Sequence, residues 1–241
     1  MVEEAAVESL VPSGTGVPLA GTRLLPVLPV LAPLLPDPGL RRGSVLSVSG
    51  AAGATSLLCC LVAAAMAEGS WAAAVGLPAL GLEAAARLGV RLDHLALVPD
   101  PGGRWAEVVG VLVDSVDLVA VAPPGRCRPA DARRLTARAR ERGAVMVVAG
   151  PAGRWPEAVD LRLEVGTPRW HGLGVGDGTL RQRSVTVRSS GRRAAARQRR
   201  VRLWLPAPDG GAGADGDGTT PLAGVPGGVG DGAQGGVPCG S

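Results

Sequence analysis

From Ser44 to Ala149 the chain alternates short apolar runs with longer stretches that suit helices. Ser44–Ser49, Trp71–Val75, Leu95–Val98, Leu118–Ala122 and Ala144–Ala149 have the length and the Val/Leu/Ala content of buried strands. Between them, Leu57–Glu68, Leu82–Leu88, Arg104–Val113 and Pro129–Glu141 are predicted helices, stopped where a glycine follows, at Gly69, Gly89 and Gly143. Strands alternating with helices of this length predict βαβ units and a mainly parallel sheet.

The pattern changes after Gly150. Leu161–Val165 alternates apolar and charged residues, as a half-buried strand does. Val185–Arg188 and Val201–Leu205 alternate as well and predict an antiparallel hairpin at the sheet edge. From Pro206 onward Gly, Asp, Pro and Thr dominate, and 206–241 is expected to be a disordered tail. At the other end, residues 1–23 are expected to be loosely ordered, and Leu24–Pro38 reads as extended packing, because Pro26, Pro29 and Pro33 disfavour helix. The expected organisation is an N-terminal Leu/Pro segment over 1–39, an α/β core over 40–165, C-terminal strands with a basic hairpin over 166–205, and the tail.

Composition sharpens this picture. Hydrophobic residues make up 46% of the 241, enough for a core, but Phe and Tyr are absent, so packing rests on Ala, Val and Leu. Net charge is +4, and lysine is absent, so every fixed cation is an arginine. Cys59, Cys60, Cys127 and Cys239 match no metal-site spacing and read as free thiols of a reducing compartment. The acidic N-terminus (Glu3, Glu4, Glu8) and the Pro-broken apolar stretch fit no secretory leader, and Leu57–Ala67 is too short to span a bilayer. The expectation is a cytoplasmic protein without a membrane partner, and association with the nucleoid would fit the same reading.

One segment has the form of a phosphate site. A strand, a glycine-rich turn and a helix place backbone N–H groups and a helix N-terminus against an anion. The turn runs Val48-Ser49-Gly50-Ala51-Ala52-Gly53-Ala54-Thr55-Ser56. Against the pattern G-x-x-x-x-G-K-[ST], Gly53 and Thr55 fit. Val48 stands at the first glycine and Ala54 at the lysine that neutralises the β- and γ-phosphates. Gly50, Gly53, Ala54, Thr55 and Ser56 are therefore candidate nucleotide-binding residues of a vestigial kind, with a tight structural turn as the competing reading.

The surroundings of this turn resemble RecA recombinases. Thr55–Gly69, with its apolar-Ala-Ala-Ala-x-x-Glu-Gly ending, is similar to the helix after RecA's P-loop. Leu88-Gly89-Val90-Arg91-Leu92-Asp93-His94-Leu95 resembles RecA's Leu-Gly-Val-Asp-Ile-Asp-Asn-Leu, and Pro99-Asp100 follows at RecA's spacing. Val116–Val121 is similar to the strand that carries the Walker B acid. These blocks are collinear over about Leu40–Val165. The resemblance implies a RecA-like fold in which the Walker B Asp falls at Ala122, the catalytic Glu near Pro78 and the P-loop Lys at Ala54. Phosphoryl transfer depends on such charged groups, so the resemblance implies no ATP hydrolysis, and it assigns no catalytic residue and no metal ligand. Bound ATP and Mg²⁺ stay open as ligands; no cofactor is assigned. The loops that grip DNA in RecA shrink here to about Pro123–Arg128 and Gly150–Glu157.

Shortened, degenerate RecA-like chains of this kind resemble the ImuA group, above all its actinobacterial form. The lead-in Leu25-Pro26-Val27-Leu28-Pro29, the segment Trp170-His171-Gly172-Leu173-Gly174 and the hairpin ending Arg202-Leu203-Trp204-Leu205-Pro206 look like that group. The resemblance implies a part in the SOS response and DNA repair: a non-catalytic accessory protein of damage-induced translesion synthesis. Its partners would be a Y-family polymerase homologue (ImuB-like) and an error-prone DnaE-type polymerase subunit. A divergent ATP- and DNA-binding recombinase-like protein is the alternative.

Two basic clusters remain. Arg133, Arg134, Arg138, Arg140 and Arg142 share one predicted helix with Asp131 and Glu141 and fit a solvated face, with a surface for nucleic acid or an acidic partner as the alternative. Arg188, Arg192, Arg193, Arg197, Arg199, Arg200 and Arg202 have few acids nearby and are candidates for contact with DNA or an acidic partner. Trp204, alternating with outward charges, reads as packed. His94 and His171 have no Cys or acid cluster in the sequence that would make them metal ligands or a catalytic base.

Overall fold

A computed structural model describes residues 23–50, 52–173 and 178–215. The Leu/Pro segment is extended only at its start. β1 (Leu24–Pro26) pairs antiparallel with β2 (Gly39–Arg41) in a small sheet of its own. Between them Pro29–Leu34 winds into a 3-10 helix rather than the expected extended chain. Pro29 starts it, and i→i+3 spacing puts Leu31 and Leu34 on one fully buried side. The expectation for residues 1–22 lies outside the described residues.

From β3 to β7 the strands and helices follow the predicted alternation. β3 (Val45–Gly50) leads to α1 (Ala54–Ala67), β4 (Ala72–Val75) to α2 (Leu82–Arg87), β5 (Leu95–Val98) to α3 (Trp105–Ser115), β6 (Leu118–Val121) to α4 (Pro129–Arg142), and β7 (Val145–Ala149) follows. Then come β8 (Leu161–Val165), β9 (Arg169–Leu173), β10 (Gly178–Gly191), β11 (Arg199–Trp204) and β12 (Gly213–Ala214). One ten-stranded sheet runs β12-β11-β10-β8-β3-β7-β6-β4-β5, with β9 beside β10. The pairs from β8 through β3, β7, β6 and β4 to β5 are parallel, and β9–β12 add antiparallel pairs at one end. The fold class is therefore α/β with a mainly parallel sheet and an antiparallel edge, as the pattern predicts.

Each face of the central strands has its own core. α1 is buried nearly all round, which its apolar composition permits, and it packs with the N-terminal 3-10 helix against Leu46, Val48, Leu163 and Val187. On the opposite face α3 and α4 cover Val45, Val75, Val119, Val121, Met146 and Val148. The arginine-rich α4 manages this because Ala132, Leu135, Thr136 and Ala139 fall on one side at helical spacing. Its other side is solvated, and Arg138 and Arg142 reach Asp114 at the end of α3. The hydrogen bond from Arg138 holds the Asp114 carboxyl below its usual pKa. A depressed carboxylate contributes stability above its unfolded pKa and loses it as the pH falls through the lower folded value. Asp114→Asn should therefore lower stability at neutral pH by on the order of 1 kcal/mol, screened by solvent, and the gap to wild type should close in acid; a gap that persists there in denaturant titrations refutes this.

Two expectations need correction at the C-terminal end. The hairpin is longer than the alternation suggests, since β10 spans Gly178–Gly191. The chain stays structured past Pro206: Ala207 is buried, and β12 pairs with β11 through Leu203↔Ala214 and Trp204↔Gly213. The low apolar content there misleads because an edge strand needs mainly backbone partners. Residues 216–241 lie outside the described residues. No helix among the described residues is long and apolar enough to cross a membrane.

Candidate functional site

The glycine-rich turn joins β3 to α1 as a phosphate-binding turn would, yet it is packed closely by its neighbours. Gly50 has φ +122°, and a Cβ there would lie 2.1 Å from the Val165 carbonyl oxygen at the end of β8. Gly53, at the N-terminus of α1, has φ +117°. A Cβ on it would sit 3.3 Å from Val165 Cγ1, 3.4 Å from Val185 Cγ1 and 3.5 Å from Arg183 Nη2. Both glycines thus have a structural reason that involves no ligand. Ala54 and Thr55 open the helix, and Ser56 follows.

Ser56 meets a residue that no sequence pattern singles out. Arg183, on β10, donates from Nη2 to Ser56 Oγ at 3.0 Å and from Nε to the Leu205 carbonyl at 2.6 Å. Its guanidinium lies 5.1 Å from the centre of the Trp170 ring. The residue is 8% exposed, and burial lowers its pKa. Among the described residues it joins no ion pair. A buried cation therefore stands beside the turn that lacks the P-loop lysine. Sequence reading could not find it, because it lies 127 residues from Ser56 along the chain.

The acidic positions of a RecA-type site carry neutral residues here. Ala122 follows β6 and its N–H donates to the Val75 carbonyl. The Gly76 backbone presses on the Ala122 carbonyl, where an added Cβ would come within 2.3 Å. Pro78 is exposed in the turn after β4. The two short loops are tied together: Arg154 Nη1 donates to the Pro123 carbonyl at 3.2 Å, and Trp155 is buried in the α3–α4 core.

The structure divides the C-terminal arginines. Arg188, Arg200 and Arg202 are exposed on one face of β10 and β11. Arg199 points to the other face, opposite the buried Ser189, and its Nη1 is buried without a partner among the described residues. Arg192 and Arg197 are exposed in the connection between the strands, and Arg193 opens the 3-10 helix Arg193–Ala196 there. Arg162 of β8 and Arg169 of β9 are exposed too, although no sequence cluster contains them. His171 Nε2 lies 3.1 Å from Ser184 Oγ, and its ring meets Trp204 edge-on; His94 packs against Trp71. Trp204 is half-buried, but it does not alternate with the outward charges: it lies on the same face as Arg202 and Arg200, two and four residues away. Cys59, Cys60 and Cys127 are free, buried thiols; burial pushes Cys59 up to about 11 and Cys60 to about 12, so neither is a ready nucleophile. Among the described residues no group of His, Cys, Asp and Glu could hold a metal ion.

Comparison with known proteins places this geometry. The chain is similar to the crystal structure of the RadB recombinase, with a TM-score of 0.51 and 16% identity, covering 73% of this chain and 92% of that one. At that identity the likeness speaks for the fold alone. In sequence it is 40% identical over 150 residues to the uncharacterized protein Rv3395c of Mycobacterium tuberculosis, spanning 62% of this chain and 67% of that protein. The family model of the MT3502 N-terminal domain matches residues 33–157, a stretch that holds the glycine-rich turn and all four helices. The chain has a RecA-like fold and belongs to the MT3502 N-terminal domain family.

Proposed function

We propose that this protein is a non-catalytic RecA-like accessory protein of damage-induced mutagenic translesion synthesis. It docks a Y-family polymerase homologue and an error-prone DnaE-type polymerase subunit. One observation carries the reading: the α/β core is retained, while Ala54, Pro78 and Ala122 stand where the charged groups of ATP hydrolysis belong. A scaffold kept without its chemistry serves as a surface. The likeness of the flanking motifs to the ImuA group supplies the choice of partners.

A specific observation favours a second reading, in which the turn still takes a nucleotide. Arg183 brings a buried cation to Ser56 and Gly53, where its charge could do for a phosphate what the missing lysine does. This is the divergent ATP- and DNA-binding recombinase-like protein. One experiment separates the two. Tagged full-length protein is captured from DNA-damaged cells, with ATP present or enzymatically removed, as wild type, Thr55→Ala and Arg183→Gln. The accessory reading expects both polymerases in every sample. Capture that needs ATP, together with ATP turnover lost in both variants, establishes the second reading instead. Absence of any polymerase overturns the first.

A further inference from the structure

We propose that the helix-free face of β8, β10 and β11 binds a single-stranded nucleic acid, its phosphates held by Arg162, Arg188, Arg200 and Arg202. The sheet register assembles this face. Alternate residues of a strand point to opposite sides. Val185, Val187, Val201 and Leu203 enter the core shared with α1, so the residues between them face outward. Arg188 lies directly opposite Arg200, Thr186 opposite Arg202, and Ser190 opposite Arg162. All four arginines are exposed.

The charge on this face is unbalanced. Acids beside these arginines are Glu164, opposite Arg188, and Asp215, 3.8 Å from Arg202; Asp160, two residues before Arg162, lies 3.8 Å from Arg140 of α4. Like charges directly opposite one another destabilise a sheet, and Arg188 and Arg200 form such a pair. A polyanion laid across them relieves that repulsion.

The spacing favours a nucleic acid strand over an acidic protein. Arg200 and Arg202 are two residues apart on one strand, a step of about 6.5–7 Å, and neighbouring strands lie about 4.8 Å apart. This regular grid suits the repeating phosphates of an extended strand; the carboxylates of a folded protein have no such repeat. The face ends at Trp204, whose ring meets His171 edge-on at 4.9 Å between centroids. Unpaired bases stack on such aromatic groups, and bases within a duplex do not. The arginine face is independent of the polymerase-docking reading.

The test is fluorescence anisotropy of full-length protein with a labelled oligothymidylate, titrated at several salt concentrations. Arg188→Gln/Arg200→Gln should weaken binding about tenfold or more and reduce the salt slope by about 1.4, or about 0.7 for each phosphate no longer neutralised. The charge-matched control Arg133→Gln/Arg134→Gln on α4 should leave binding near wild type. Removing the like-charge pair should hold or raise the thermal midpoint; if that variant unfolds, Arg162→Gln/Arg202→Gln gives the same readout. Equal weakening in the control, no binding by wild type, or equally tight binding of duplex or polyglutamate overturns the proposal.

Discussion

Gly50→Val should unfold the protein or lower its stability by about 3–5 kcal/mol, the combined order of backbone strain and overpacking. The position has φ +122°, a region that L side chains rarely adopt, and β-branched valine suits it least. The new Cβ would also lie 2.1 Å from the Val165 carbonyl oxygen, which belongs to paired backbone and cannot swing aside. Denaturant titration followed by tryptophan fluorescence reads the effect. A variant within about 1 kcal/mol of wild type would show that the turn can move away from β8. The reason for the glycine matters to function. Phosphate-binding turns use glycine so that backbone can approach an anion; here β8 makes that approach. A glycine-rich turn in this chain is therefore no sign of nucleotide by itself, and the case for a phosphate rests on Arg183.

Truncation after Glu157, where the family match ends, should abolish cooperative unfolding. It removes Leu163, Val165, Val185, Val187, Leu203 and Leu205, all buried in the cluster that contains α1 and the N-terminal 3-10 helix. Burying one such side chain is worth about 1.5–3 kcal/mol. Six together are comparable with the whole net stability of a domain, roughly 5–15 kcal/mol. The cut also leaves β3 without its β8 neighbour and opens the apolar side of α1 to water. A truncated chain that melts in a single sharp transition would refute this account. The antiparallel strands are thus part of the core as well as carriers of the arginine face.

Such an outcome would bear on every functional variant. Arg188 and Arg200 are separated from the core only by the thickness of the sheet, since Val187 and Val201 beside them are buried. Polar substitutions on the outer face are the informative ones, because they leave that packing intact.

Residue order is enough to define the strands and helices of the parallel core, from β3 to β8, and the chemistry missing from the turn. Leu95–Val98 and Leu161–Val165 are strands with the bounds their patterns predict. The helix from Pro129 ends at Gly143, which takes φ +74° as a C-cap. The absence of lysine, and Ala54 and Ala122 at the charged positions, are plain in the chain itself. These features are local: periodicity, capping and residue identity act within a few positions of the chain.

Which distant residues meet is settled only when the sheet assembles. Its strand order places Arg183 against Ser56, sets Arg162 in the same face as Arg188 and Arg200, and turns Arg199 away from its sequence neighbours. Assembly also provides the polar stretch after Pro206 with a strand partner and winds the Leu/Pro segment onto the core. Each outcome depends on strand order and register, and these depend on which apolar faces can be buried together across the whole sheet. No window of the chain contains that information.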